Sequence, residues 1–223
     1  MVETTPLMEA TSAPRAPDLL LASASPRRRE LLERLGLALV VAATDVDETP
    51  LDGERPTDYV KRVAGAKCDA AFARAGAQGE LAVLAADTIV VVAGEILGKP
   101  ADDADARRML ERLAGRKHEV ATAYRIRFGE RVVERTVTTV VTVRALAPAE
   151  LDAYVASGEW RGKAGGYAVQ GIAGAFVAEL RGSHTNVIGL PVAEVLADLQ
   201  ALGALPRYPP AGFGVPAGPG STA

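Results

Sequence analysis

Cysteine, histidine and aromatic residues are scarce in this sequence. Its 223 residues include one cysteine, Cys68, two histidines, His118 and His184, and only 4% Phe, Trp and Tyr. A single thiol excludes an internal disulfide framework, and with two histidines no Cys/His zinc site can be assembled, so any metal would take carboxylate ligands. Neither sign of charge is in large excess. The formal net charge is -3 and the pI about 5.5, so no general positive field gathers a nucleic-acid backbone or an anionic membrane. Long apolar runs are missing as well: the stretch from Leu81 to Ala93 is interrupted by Asp87 and is too short to span a bilayer. The N-terminus carries Glu3 and Glu9 and lacks an apolar core, so it does not read as a secretory signal. These absences describe a cytoplasmic protein with neither nucleic acid nor membrane as partner.

What is present is a 48% hydrophobic chain, enough to bury a substantial core. Residues 1–18 and 206–223 are rich in Pro, Gly, Ser and Thr and read as a disordered extension and a disordered tail, leaving one domain over 19–205. Within it, Leu19 to Ala22 reads as a buried strand. A helix follows with Ser25 as N-cap, Pro26 at its first position and Gly36 as its stop. Strands are expected over Leu37–Ala43 and Leu81–Val92, and a hairpin pairs His118–Phe128 with Arg131–Arg144 across Gly129-Glu130. Helices are expected from about Thr57 to Arg74, after Asp102 or Asp103, over Pro148–Ser157 and over Pro191–Leu202, with a last strand near Ala175–Leu180. Strands alternating with helices indicate an α/β fold, in two lobes.

Three residues or groups sit where simple physics disfavours them. Arg27 and Arg28 fall in the first turn of a helix, where a cation opposes the macrodipole at ~0.3–1 kcal/mol each. An anion at that helix start, held by backbone N–H groups, Ser23, Ser25 and the arginines, would resolve the conflict; a solvated basic turn is the plainer alternative. Asp87 lies in the apolar run L-A-V-L-A-A-D-T-I-V-V-V, and a buried carboxylate requires a partner or a metal. Ending a strand in a turn is its structural alternative. Lys67 falls on one face with Val60, Val63, Ala64 and Ala71, so it either snorkels or points into a cleft. The acidic loop with Asp45, Asp47 and Glu48 leaves a strand and could bring a second carboxylate near Asp87 for a hard cation. Neither G-x-x-x-x-G-K-[ST] nor G-x-G-x-x-G occurs, which excludes a P-loop or Rossmann nucleotide site.

Five segments in order, S-A-S-P-R-R, A-A-D-T-I-V, G-K-P, K-A-G-G-Y-A-V-Q-G and N-V-I-G-L-P, resemble the signatures of the Maf family of nucleoside triphosphate pyrophosphatases, over about Leu19 to Leu202. The resemblance implies an elongated mixed β-sheet with flanking helices and two lobes around a cleft, similar to inosine triphosphatase-like enzymes. It implies a divalent cation, Mg²⁺ or Mn²⁺, and often a homodimer. The family's catalytic carboxylate falls on Asp87. Its other polar site positions fall on Ser23, Arg27, Arg28, Glu48, Lys67, Lys99, Lys163 and Gln170, with Glu48 and Asp87 as metal ligands. A-D-T at the catalytic strand and R-R after S-x-S-P are similar to the branch acting on dTTP and UTP, for which Arg28, Thr88 and Gln170 are the specificity positions. Cleavage to the monophosphate and pyrophosphate is the implied reaction. A nucleotide-binding regulator of cell division or septum formation, acting through protein contacts, is the alternative the family also suggests.

Overall fold

A computed structural model describes residues 16–76 and 81–209. Most of the expected N-terminal extension and of the tail therefore lies outside the described residues. Tyr208, assigned to the tail from composition, packs against a core.

The described residues build one seven-stranded mixed sheet with six α-helices. Strands β1 (Leu19–Leu21), β2 (Leu39–Val41), β3 (Ala82–Val92), β4 (Glu95–Leu97), β5 (Lys117–Phe128), β6 (Arg131–Val143) and β7 (Val177–Arg181) run in the order β2-β1-β3-β5-β6-β7, with β4 also on β3. The helices are α1 (Pro26–Arg34), α2 (Pro56–Ala75), α3 (Asp103–Leu113), α4 (Pro148–Ser157), α5 (His184–Ile188) and α6 (Val192–Ala201). Ser25 caps α1 with Pro26 behind it, and Asp102 caps α3, its carboxylate accepting from the Asp105 N–H at 2.7 Å. Ala93 and Gly94, at φ 52° and 82°, form the tight turn between β3 and β4.

Three expectations need correction. β2 is only Leu39–Val41 and lies at the sheet edge with Val40 and Val41 exposed, because just one of its sides finds a strand. The final strand begins at Val177, since Ile172–Phe176 winds into a 3₁₀ turn first. Residues 184–188, which overlap the N-V-I-G-L-P signature from Asn186 on and for which no helix is expected from the sequence, form α5, capped by Ser183 through the Asn186 N–H.

β3 organises everything else. Its side chains alternate between the two faces of the sheet. On one face Val83 and Ala85 meet Cys68, Ala71 and Phe72 of α2, and beyond Asp87, Ile89 meets Val60 and Ala64 of the same helix. On the other face Ala82, Leu84 and Ala86 pack with α1 and α6, and beyond Thr88, Val90 and Val92 pack with α3 and α4. Each face thus carries two apolar cores separated by a single polar residue, Asp87 on one and Thr88 on the other. The far edge of β3 is also open there, because β1 pairs it only up to Leu84 and β4 only from Val90.

Candidate active site

At this break in the sheet lies a cavity of about 280 Å³. Its walls include Ser23, Arg27, Arg28, Glu48, Lys67, Asp87, Thr88, Lys99, Lys163 and Gln170, so the structure brings together every site position expected from the sequence. The segment after β1 supplies Ser23 and the two arginines, and the loop after β4 supplies Lys99. The glycine-rich loop supplies Lys163 and Gln170. Gly165, at φ 68°, lets that loop approach closely: an added Cβ would stand 3.0 Å from Val90, and its N–H donates to the Gly98 carbonyl at 2.9 Å.

On the α2 face, Lys67 does not snorkel to bulk water. Its Nζ lies 2.9 Å from Asp87 Oδ1 and 2.8 Å from Glu48 Oε1, with the Lys67 and Asp87 side chains only 11% and 13% exposed. The carboxylate inside the apolar strand is thereby compensated. Glu48 reaches this place because its loop is tied to α2. The Tyr59 hydroxyl donates to the Glu48 carbonyl at 3.0 Å, and Arg62, ion-paired with Glu54, donates to the Thr49 carbonyl at 3.0 Å. Burial, followed by the charges of Asp87 and Glu48, raises the Tyr59 phenol above its ordinary pKa. Of the three acidic candidates in that loop, only Glu48 lines the cavity; Asp47 accepts the Thr49 N–H at 2.8 Å.

The other face is organised around Arg28, which is buried although it stands in the first turn of α1. Its Nε donates to the Gly189 carbonyl at 2.7 Å, Nη1 to Ser23 Oγ at 3.2 Å and Nη2 to Thr88 Oγ1 at 2.9 Å. Burial pushes its pKa down, with the Asp87 charge acting in the opposite direction. Arg27 donates to the Ile188 carbonyl at 3.3 Å and is also lowered by burial. Lys163 is lowered by burial and then by Arg27, and its Nζ finds the Arg161 carbonyl at 3.3 Å.

Among the described residues, Arg27, Arg28, Lys99 and Lys163 have no carboxylate partner. Several arginines away from the cleft, Arg34, Arg62 and Arg144 among them, are ion-paired. Unpaired cations converging on one cavity form a seat for an anion with several charges.

The sequence reading passed over Thr122, Asn186, His118 and Tyr167. Thr122 and Asn186 are fully buried beneath Thr88, and His118 Nε2 meets the Tyr167 hydroxyl at 2.7 Å. The signal for Thr122 was its place in V-A-T-A-Y, a hydroxyl on the same strand face as Val120 and Tyr124.

Residues 18–202 match the family model described as Maf-like protein. The dTTP/UTP pyrophosphatase of Anaeromyxobacter dehalogenans is 53% identical over 192 residues, covering 84% of this chain and 95% of that one. That of Sphingopyxis alaskensis is 53% identical over 189 residues, 84% of this chain and 97% of that one. Among solved structures, the Mycobacterium abscessus nucleoside-triphosphatase / dITP/XTP pyrophosphatase is 15% identical, covers 84% of this chain and 96% of its own, and has a TM-score of 0.38.

Proposed function

The chain belongs to the Maf family, and from that membership we propose that it hydrolyses dTTP and UTP to the monophosphate and pyrophosphate. The observation that carries the reading is the cleft itself: one largely enclosed carboxylate beside a lysine, facing cations with no ion-paired acid. The triphosphate lies across the start of α1, where Arg27, Lys99 and Lys163 offset its charge. Asp87 orients a water and takes its proton as the water oxygen bonds to the α-phosphorus. The α–β anhydride bond breaks, and pyrophosphate leaves with its charge met by the cleft cations, Lys67 among them.

A nucleotide pyrophosphatase calls for a divalent cation, and the donor set fits Mg²⁺ or Mn²⁺. Glu48 Oε1 and Asp87 Oδ1 both converge on the Lys67 ammonium, so two carboxylates already face one cationic centre. Among the described residues no group of three or more His, Cys, Asp or Glu could hold a metal alone. Two carboxylates completed by substrate phosphate oxygens and water suit Mg²⁺, which would polarise the phosphates and lower the pKa of a bound water. No helix among the described residues is long and apolar enough to cross a membrane.

Purified protein with Mg²⁺ or Mn²⁺, incubated with a panel of nucleoside triphosphates and resolved by chromatography, tests the proposal. UMP with pyrophosphate is the expected product pair from UTP. UDP with phosphate would overturn the cleavage site.

A further inference from the structure

Thr122 is no part of the cavity wall. It is fully buried on β5, directly opposite Thr88 in the β3–β5 register, with the two hydroxyl oxygens 2.9 Å apart. The surrounding bonds accommodate one continuous order of donors and acceptors. Thr88 Oγ1 meets Arg28 Nη2 at 2.9 Å, and a guanidinium can only donate, so Thr88 accepts there. Its own single proton has two acceptors in reach, Thr122 Oγ1 at 2.9 Å and the Gly189 carbonyl at 3.3 Å, and both lie inside the protein. The Gly189 carbonyl already receives Arg28 Nε at 2.7 Å. Thr122 hands its own proton to the Asn186 carbonyl at 3.2 Å. In this order the donors run from Arg28 to Thr88 to Thr122 to Asn186, and each of these groups is paired. Their end is anchored, since the fully buried Asn186 amide donates to the Val120 carbonyl and to Thr139 Oγ1, each at 3.0 Å.

We infer that Thr122 is a positioning residue that holds Thr88 as a hydrogen-bond acceptor toward the cleft, and so favours pyrimidines with a proton at N3, uracil and thymine, over cytosine. The inference rests on the dTTP/UTP reading above and adds the residue that sets the polarity of its base contact. Cytosine has a lone pair at N3, which meets no proton from Thr88. Turning the Thr88 proton outward would give up both inward acceptors, Thr122 Oγ1 and the Gly189 carbonyl, and leave the buried Thr122 oxygen without a donor from Thr88.

Thr122→Val keeps the β-branched shape in the strand and removes the acceptor. The expected result is a fall of about ten-fold in the ratio of kcat/KM for UTP over CTP, with Thr122→Ser restoring it. An unchanged ratio, or an equal loss on both nucleotides, overturns the inference. A second measurement needs no folded variant: the unaltered protein should turn over 3-methyluridine triphosphate at least about ten-fold less efficiently than UTP. Equal efficiency overturns the inference. Absence of any UTP hydrolysis by the unaltered protein would instead sink the underlying reaction, a result separable from either ratio.

Discussion

Asp87 and Thr88 are neighbours on one strand, yet the environments they enter differ in kind. On the Asp87 face the partners are full charges, with Lys67 held between two carboxylates. On the Thr88 face the contacts are neutral hydroxyls and carbonyls organised by one buried guanidinium. Strand alternation alone puts them on opposite sides, and the open edge of β3 lets one ligand touch both. A phosphate chain suits the cleft cations, Lys67 beside Asp87 and Arg27, Lys99 and Lys163 around the start of α1, where charge is compensated by charge. A pyrimidine edge suits the Thr88 contacts, where direction of hydrogen bonding discriminates and net charge would not. If this division is right, damage to the charged face lowers turnover for every nucleotide, and damage to the neutral face alters which nucleotide is preferred.

The largest effect belongs to Asp87. Asp87→Asn keeps the shape of the side chain and removes its basicity, so kcat should fall by about 10²–10⁴ on UTP and CTP alike. Steady-state kinetics on both nucleotides would break the comparison if the UTP/CTP ratio moved with the rate.

The dry surroundings on the other face can be tested through His118, which belongs to the strand beneath the Tyr167 wall. Burial depresses its pKa to about 4. The unfolded chain protonates such an imidazole near pH 6.5 and the folded chain only near pH 4, so between these values unfolding takes up a proton. Stability from this residue is therefore complete above pH 6.5 and drops as pH falls, by roughly 3 kcal/mol once below pH 4. Denaturant unfolding of His118→Gln between pH 4 and 7 should show a correspondingly shallower acid slope than the parent chain. Parallel slopes would mean that the imidazole is charged inside the fold.

Lys67→Met keeps the apolar stem on α2 and removes only the ammonium. A loss of about ten-fold in kcat/KM, equal for UTP and CTP, is expected if the charge serves the phosphates. Unchanged kinetics would reduce Lys67 to a structural counter-ion for Asp87.

Local conflicts made the charged groups of the cleft legible in the sequence. A carboxylate in an apolar strand, a lysine on a buried helical face and two arginines at a helix start each broke a simple rule, and the sheet gathers all of them into one cavity. The boundaries of α3, α4 and the β5–β6 hairpin were close to expectation because caps, turns and period agreed there. The neutral face was far less readable. Thr122 lies 34 positions from Thr88, and only the β3–β5 register brings them together. Asn186 sits in a five-residue helix too short to announce itself by period. The shortened β2 was misjudged because apolar residues at an unpaired edge look, in sequence, like a longer buried strand.

Gln170 gives the smallest expected effect and the finest division between the faces. Its sequence context allowed two roles, bracing the glycine-rich loop or reading the base through a planar amide with a donor and an acceptor. In the fold it is exposed, lines the cavity and makes no hydrogen bond to any described residue. The loop is held by other groups: Gly165 N–H on the Gly98 carbonyl, Gly171 N–H on the Ala168 carbonyl, and Glu159 accepting from the Ile172 N–H at 2.9 Å. Gln170→Ala should therefore leave the melting temperature nearly unchanged. It should still narrow the UTP/CTP ratio of kcat/KM by several-fold, up to about ten-fold, because an exposed amide competes with water and contributes about 0.5–1.5 kcal/mol when it pairs. Combined with Thr122→Val, the losses should add if the amide and the Thr88 hydroxyl read different atoms of the base, and fall short of additivity if they read the same one. A large drop in melting temperature with an unchanged ratio would return Gln170 to the loop and leave the neutral face to Arg28 and Thr88 alone.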